Sequence, residues 1–330
     1  MASRISDGRP ANGAMGAVRD YLKIQAIPLS VLALMIVVAS IMSPAFFSGL
    51  NFVNMMVQQT TIMVVSMGMF AVILSGGIDL SVGSQVAVAG VFCASFANSM
   101  PLALAVLLTV GICLVIGLVN GLIVAKLRIA PFIVTLGMQS FASGIAFWYC
   151  KSSPISWKAS ASADFLSTIG SGRLLGIPYQ AIIWLVMVIF TAILIKTTVM
   201  GRILYAIGGN EEAVTLSGLN VKKWKVTPYV FSSFCCAIAG ILLMARLGLG
   251  SPQSGTALET DCIAAVVIGG TSFSGGKGTV SGAVIGVFIL GIINNILDLL
   301  NVSSYPQLML KGAIIVVAVI LSTIREKNAG

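Results

Sequence analysis

Histidine is missing from this sequence, and charge nearly so. The 330 residues include no His, 19 Lys and Arg, and 10 Asp and Glu, so charged residues make up 9% of the chain. A soluble domain carries roughly 25%. With 58% of residues hydrophobic, too few polar groups remain to cover a water-facing globule. The class that fits is an integral membrane protein. The lack of histidine excludes Ser-His-Asp and Cys-His catalysis, H-E-x-x-H zinc sites and a histidine pH switch. The six cysteines, Cys93, Cys113, Cys150, Cys235, Cys236 and Cys262, show no C-x-x-C spacing and lie in or beside apolar runs. They read as small apolar packers, not as a metal or redox site. Cys235 and Cys236 are adjacent, so in a helix they point to different faces and do not bond to each other.

The rare charges outline the topology. No charge occurs between Lys23 and Asp79, a run of 55 residues. One crossing uses about 20 residues, so this run holds two. Ser43-Pro44 and Gly49-Leu50-Asn51 mark the turn between them. This places crossings at about 26–44 and 53–75. Asn98-Ser99-Met100-Pro101 divides the next run into about 80–97 and 102–125. A fifth crossing lies between Arg128 and Lys151, and a sixth runs from Pro178 to Lys196. Lys225 to Arg246 encloses the seventh. Asp261 to Lys277 encloses only 15 residues, short for the eighth. Lys277 to Asp298 encloses the ninth, and Pro306 to Arg325 the tenth.

With the N-terminus inside, 14 of the 19 basic residues fall on inner segments and three, Lys151, Lys158 and Arg173, on outer loops. That separation follows the positive-inside rule. It accounts for the net charge of +9 without nucleic acid. The expected architecture is all-α and polytopic, with about ten transmembrane helices and both termini cytoplasmic. Residues 1–25 form a cytoplasmic tail, 26–323 the transmembrane domain and 324–330 a second tail. The start lacks an A-x-A-like cleavage site, so the first helix reads as retained. The longest inner loop is 197–225 and the longest outer loop 151–178. Each is too short for an independent enzyme domain, so no catalytic residues are expected.

Three groups of residues stand out. The inner loop carries Gly201, Arg202, Gly208, Gly209, Asn210, Glu211, Glu212, Ala213 and Gly218. Asn210 fits an N-cap, with Glu211 and Glu212 at the dipole-favoured first turn and Gly218 as the stop. The pattern predicts a short helix between glycine hinges, either a solvated connector or an element that docks into a partner's groove. Next, Gly76-Gly77…Ser81…Gly83 and Gly269-Gly270…Ser274…Gly276 share G-G-x-x-x-S-x-G at an offset of 193 residues. Interrupted helices in matching places point to transporter repeats, although this scheme ends both parent helices on one side. Third, Asp79, Glu259, Asp261, Arg246 and Lys311 are charges at membrane depth, where they face protein or water. With Ser81, Asn294 and Asn295, the acids Asp79, Glu259 and Asp261 are candidates to line a path. The alternative is that they are interfacial groups or internal ion pairs. Gly278, Gly282 and Gly286 form a small-residue stripe suited to helix packing. Gly276-Lys277 is not a phosphate loop, because Thr271 and Gly278 stand where Gly and Ser or Thr are needed.

Over about residues 30–323 the sequence resembles the permease subunits of binding-protein-dependent ABC sugar importers, the ribose-type group. The motifs that carry this are Ile73–Gly83, Asn120-Gly121 with Pro131–Gly137, Gly201–Asn210 and Asp261–Thr271. Thr260 replaces an apolar residue usual there, and Asn295 stands where glycine is common. The resemblance implies a monosaccharide permease of the bacterial inner membrane that works by alternating access. It has no ATP site and no cofactor of its own. The implied partners are a cytoplasmic ATPase, a second permease copy or paralogue, a periplasmic sugar-binding protein and membrane lipid. It also implies that Gly201–Leu219 contacts the ATPase. The alternatives are an ion-coupled secondary transporter and a related permease for a branched-chain amino acid.

Overall fold

The computed structural model describes residues 14–158 and 160–329. Each expected crossing corresponds to helix, and the departures lie where the chain interrupts its helices. Helix α1 (Ala14–Met42) starts inside the expected tail and is followed by a single 3-10 turn at Pro44–Phe47. The second crossing is two helices, α2 (Gly49–Gln58) and α3 (Thr60–Leu74), bent by 43° at Gln59. Helices α4 (Val82–Ala97), α5 (Leu102–Leu127) and α6 (Pro131–Tyr149) follow. The connection from α6 to the next long helix contains β1 (Ile155–Ser156), helix α7 (Ala163–Ser171) and the hairpin of β2 (Arg173–Leu174) with β3 (Ile177–Pro178). Helix α8 (Tyr179–Thr197) leads into α9 (Val199–Gly209), α10 (Glu211–Leu216) and α11 (Val221–Leu247). Strand β4 (Leu249–Gly250) pairs with β1, and α12 (Leu258–Ile268), α13 (Val280–Leu299) and α14 (Ser304–Ala329) complete the order.

Among the described residues, six helices are long and apolar enough to cross a membrane, and α2 with α3 makes a seventh if counted as one span. The eighth expected crossing is where the structure is most informative. Helix α12 has only 11 residues, about 16 Å at 1.5 Å per residue. The 15-residue gap between charges was therefore short for a reason: the rest of that crossing is not helical. Helix α4, with 16 residues, is short in the same way.

Helix α11 is the central post. It packs along α5, α3 and α4, and its faces are small where they touch. A Cβ on Gly68 would lie 2.7 Å from Ser232 Cα, and one on Gly117 would lie 2.6 Å from the Tyr229 carbonyl and clash with the Ser233 hydroxyl. A Cβ on Gly240 would lie 2.5 Å from the Val86 carbonyl. Lipid tails give no hydrophobic drive between helices, so such backbone approach supplies the packing. Of the expected glycine stripe, Gly282 and Gly286 lie on α13 against Gly269 and Ala265 of α12. Gly278 precedes the helix and faces Thr271.

The intramembrane cations have protein partners. Arg246 donates to the Val57 carbonyl at 3.2 Å, in the last turn of α2, where a cation suits the helix dipole. Lys311 pairs with Asp261 at 2.9 Å and ties α14 to α12.

Packing of this kind makes a stability prediction. Gly117→Val should destabilise the detergent-extracted protein by about 1–3 kcal/mol through overpacking. Gly111→Val, with nothing within 4 Å of its Cβ, should stay within about 0.5 kcal/mol. Thermal unfolding of the two variants side by side checks this.

Candidate functional site

Two loops interrupt the bundle, and the hairpin of α9 and α10 meets both. Helix α3 stops at Leu74 with Gly76 at φ +78°. Gly76 N–H donates to Ile73 O at 2.9 Å and Gly77 N–H to Val72 O at 3.0 Å. Helix α12 stops in the same way. Gly270 (φ +88°) donates to Val267 O at 2.9 Å and Thr271 to Val266 O at 3.2 Å. Both are Schellman caps, which need a residue at positive φ. The equivalence is Gly76 with Gly270, which is one residue off the register of the sequence motif. The shared G-G-x-x-x-S-x-G pattern therefore does not superpose residue by residue; the shared feature is the helix stop. Both stops lie together, since Gly276 N–H donates to Leu74 O at 2.9 Å across the two loops.

Helix α9 presses on that bond. A Cβ on Gly208 would clash with Leu74 O and Gly276 N, the two atoms of the bond itself. A Cβ on Gly276 would lie 2.5 Å from Gly209 N, and one on Gly275 would lie 3.0 Å from Gly208 Cα. Three glycine pairs thus meet backbone to backbone. Tyr205 of α9 fixes the contact by donating its hydroxyl to the Gly278 carbonyl at 2.7 Å. Gly201 turns tightly against the Ile195 carbonyl at the α8–α9 corner. Arg202 is exposed and reaches the Thr197 carbonyl at 3.4 Å.

Beyond this joint, α10 has the expected caps. The Asn210 side chain accepts from Ala213 N–H at 2.9 Å, and Gly218 closes the helix at φ +85°. Val214 is buried with Ile203, Ile207 and Val221, which seats α10 on α9 and α11. Glu211, Glu212 and Ala213 are exposed. Glu211 pairs with Lys225 at 2.6 Å. Leu216 is 83% exposed and Leu219 44% exposed, so an apolar tip projects beside the acids.

The path candidates separate. Asp79 and Ser81 are fully buried at the start of α4. One Asp79 oxygen accepts from Ser81 N–H at 3.0 Å and Ser81 Oγ at 2.6 Å, and the other from Ser232 Oγ at 3.0 Å. Gln85 and Asn120 each donate to Ser81 Oγ at 2.9 Å. This network joins α4, α5 and α11, and the Gln85 and Asn120 side-chain oxygens are buried in it without a protein partner. Asn295 is buried in a reciprocal amide pair with Asn51, at 2.9 and 2.8 Å. Asn294, beside it on α13, is half-buried. Glu259 lies in the first turn of α12. One of its oxygens accepts from Gln139 of α6 at 3.1 Å, and the other has no protein partner and sits against Gly83. Asp261 is taken by Lys311. Ser232, Gln139 and Tyr205 were not singled out from the sequence, because their partners lie on other helices.

The sequence matches the profile of the family described as branched-chain amino acid transport system / permease component over residues 51–319. The chain belongs to this permease family. Among its relatives, the ribose import permease protein RbsC of Haemophilus influenzae is 41% identical, over 88% of this chain and 90% of the relative. RbsC of Bacillus subtilis is 39% identical, over 92% of this chain and 93% of the relative. The galactose/methyl galactoside import permease protein MglC of Escherichia coli is 38% identical, over 92% and 95%. No solved structure matches. The chain is thus a multi-pass permease subunit of an ABC importer in the inner membrane, as the charge pattern and motifs led one to expect.

Two predictions follow from this geometry in the permease. Gly208→Ala should cut transport at least tenfold, because its Cβ must displace the bonded loops; Gly209→Ala, with nothing within 4 Å, should stay near the natural rate. Uptake at matched membrane levels separates the two. Asp79→Ala leaves the Ser81 and Ser232 hydroxyls without their acceptor, at a cost of about 1–3 kcal/mol for each buried group left unpaired. It should lower both the melting temperature and uptake while the protein still inserts. A normal melting curve would show that the network is not structural.

Proposed function

We propose that this permease carries a monosaccharide across the bacterial cytoplasmic membrane, driven by a separate ATPase that docks on α9 and α10. In this reading the termini and the loop 197–225 are cytoplasmic, and the loop 151–178 faces the periplasm. Nucleotide is bound by the partner alone, and this chain needs no cofactor. A solute receptor delivers sugar at the outer end, and a second permease copy or paralogue completes the path. The substrate class rests on relatives named for ribose and galactose import, each similar along most of its length.

One observation carries the mechanism. The α9–α10 hairpin offers an apolar and acidic tip to the outside while its Gly208 bears on the bond between the two interrupted crossings. A partner that moves the tip therefore moves α3 and α12 together. Nucleotide closure would then shift the bundle between inward-open and outward-open states. An ion-coupled carrier gives no role to such a hairpin. Asp79, Ser81 and Asn295 act as internal latches in this scheme, since each is enclosed by its own chain.

Labelled-sugar uptake by cells lacking the partner ATPase tests the reading, and undiminished uptake overturns it. A finer test uses the tip. Glu211→Lys with Glu212→Lys should reduce ATPase association and uptake several-fold without loss of the permease from the membrane. Glu211→Ala alone should do less, because its oxygen is already held by Lys225. Co-purification of the ATPase with each variant reads this directly.

A further inference from the structure

The interrupted crossing before α12 is the part of the molecule that a lipid-facing segment cannot explain. Gly250 lies against Gly90 of α4, and Gly255 lies against Gly83. The chain thus descends α4 by seven residues, about 10 Å. The top of α4 is fixed at the outer loop, where Asn98 donates to the Ser156 carbonyl at 2.8 Å. Gly83 is fourteen residues below Ala97, about 21 Å, in a hydrocarbon core of about 30 Å. Residues 251–257 are therefore inside the membrane. Their backbone is a string of tight turns: Ser254 N–H to Ser251 O at 3.1 Å, Thr256 to Gln253 at 3.3 Å, and Leu258 to Gly255 at 3.1 Å. Ala257 stands at φ +62°. Irregular backbone at this depth persists only where protein covers it or where it lines water.

The side chains decide between those two. Gly250 and Gly255 turn one side of the segment onto α4. On the open side Gln253, Thr256 and Thr260 are exposed, and all three are polar and uncharged. Beside them Gln139 of α6 holds one Glu259 oxygen, and the other oxygen is buried against Gly83 without a protein partner. An apolar side chain belongs at Gln253 if lipid faces it, because its amide has no local partner to satisfy it.

We infer that residues 253–260, with Gln139, line the mid-membrane stretch of the translocation path and hydrogen-bond the hydroxyls of a neutral polyol. This deepens the reading of the chain as a monosaccharide permease and rests on it. The chemistry also separates sugar from amino acid. A zwitterion needs fixed charges of both signs. Here Glu259 is the one uncompensated charge of the strip, because Lys311 already neutralises Asp261. The Thr256 and Thr260 hydroxyls donate to the Gln253 and Ala257 carbonyls at 2.7 and 2.6 Å and keep lone pairs that can accept from a polyol, while the Gln253 amide can donate and accept. Discontinuous helices at the midplane are where transporter sites are found.

Cysteine accessibility in the assembled complex tests this. The six natural cysteines are all buried, so the unsubstituted protein gives a low background. Gln253→Cys, Thr256→Cys and Thr260→Cys are made one at a time, with Val186→Cys on the exposed apolar face of α8 as the lipid-facing control. All are reacted with a charged methanethiosulfonate in proteoliposomes containing the ATPase and the receptor. The expected result is reaction at least tenfold faster at 253 and 256 than at 186, slowed several-fold when a transported sugar and ATP are supplied. Rates equal to that of Val186→Cys in every nucleotide state overturn the inference. Because these sites are exposed, folding should be unaffected, and a second arm avoids cysteine altogether. Glu259→Gln should lower sugar uptake at least tenfold while receptor-stimulated ATP hydrolysis persists. Unchanged uptake by Glu259→Gln also counts against the inference. If the natural complex imports an amino acid and no sugar, the monosaccharide reading fails by itself. The polyol part of the inference then fails with it, and the labelling rates still decide whether the segment lines the path.

Discussion

Every backbone N–H and C=O in hydrocarbon needs a partner, and the permease breaks its helices inside that hydrocarbon. The rest of the architecture follows from how those breaks are covered. At Leu74 and Ile268 the chain closes each helix with a Schellman cap, then lends a carbonyl of one stop to an amide of the other loop. At Gln59 the free carbonyl of Val57 takes Arg246. Before α12 the turns run against α4 through Gly83 and Gly90, where no side chain stands between the backbones. The small residues of α11 belong to the same solution. A thick central helix would hold the broken ones away from each other and leave their polar groups uncovered.

The two acids at half-helix starts are enclosed to different degrees. Asp79 and Glu259 both sit where an N-terminal dipole favours a carboxylate. Asp79 has three donors from its own chain, and its hydroxyl partner Ser81 has two more. The unpartnered groups of that network are the Gln85 and Asn120 oxygens, not the carboxylate. Glu259 has one donor and one oxygen without a partner. Both acids look alike by residue type and by hydropathy. They differ in what the fold brings to them from other helices.

That difference marks how far the sequence could be read. The helices of the bundle were legible because charge is so rare that its gaps trace them, and among the described residues six, or seven with α2 and α3 as one, are long and apolar enough to cross a membrane. The short helix α10 was legible because Asn210, the two glutamates and Gly218 act on their own neighbours in the chain. The interruption before α12 was visible only as a gap too short for a helix, since periodicity reports helices and is silent about turns. The pairing of the two glycine motifs was visible but misregistered by one residue. Sequence aligns glycines as letters, whereas the chain aligns them by the cap each one closes. Ser232, Gln139 and the Asn51–Asn295 pair were out of reach, because each takes its meaning from a partner more than a hundred residues away.

The joint at Gly208 also bears on how force would travel in the proposed transport cycle. A contact made by long side chains absorbs a displacement by changing rotamers. A contact made by backbone atoms of Leu74, Gly208 and Gly276 has no rotamers to change. Movement of α9 must then be passed on or resisted. The two elements it reaches are the ends of α3 and α12. Helix α12 starts at the polar turns, and α3 leads through the 75–81 loop to α4, which those turns pack against. A short lever thus joins the α10 tip to the turns before α12 through one hydrogen bond and three pairs of glycines. Such a route needs no ionisable group, which is how a chain without histidine can respond to chemistry carried out elsewhere.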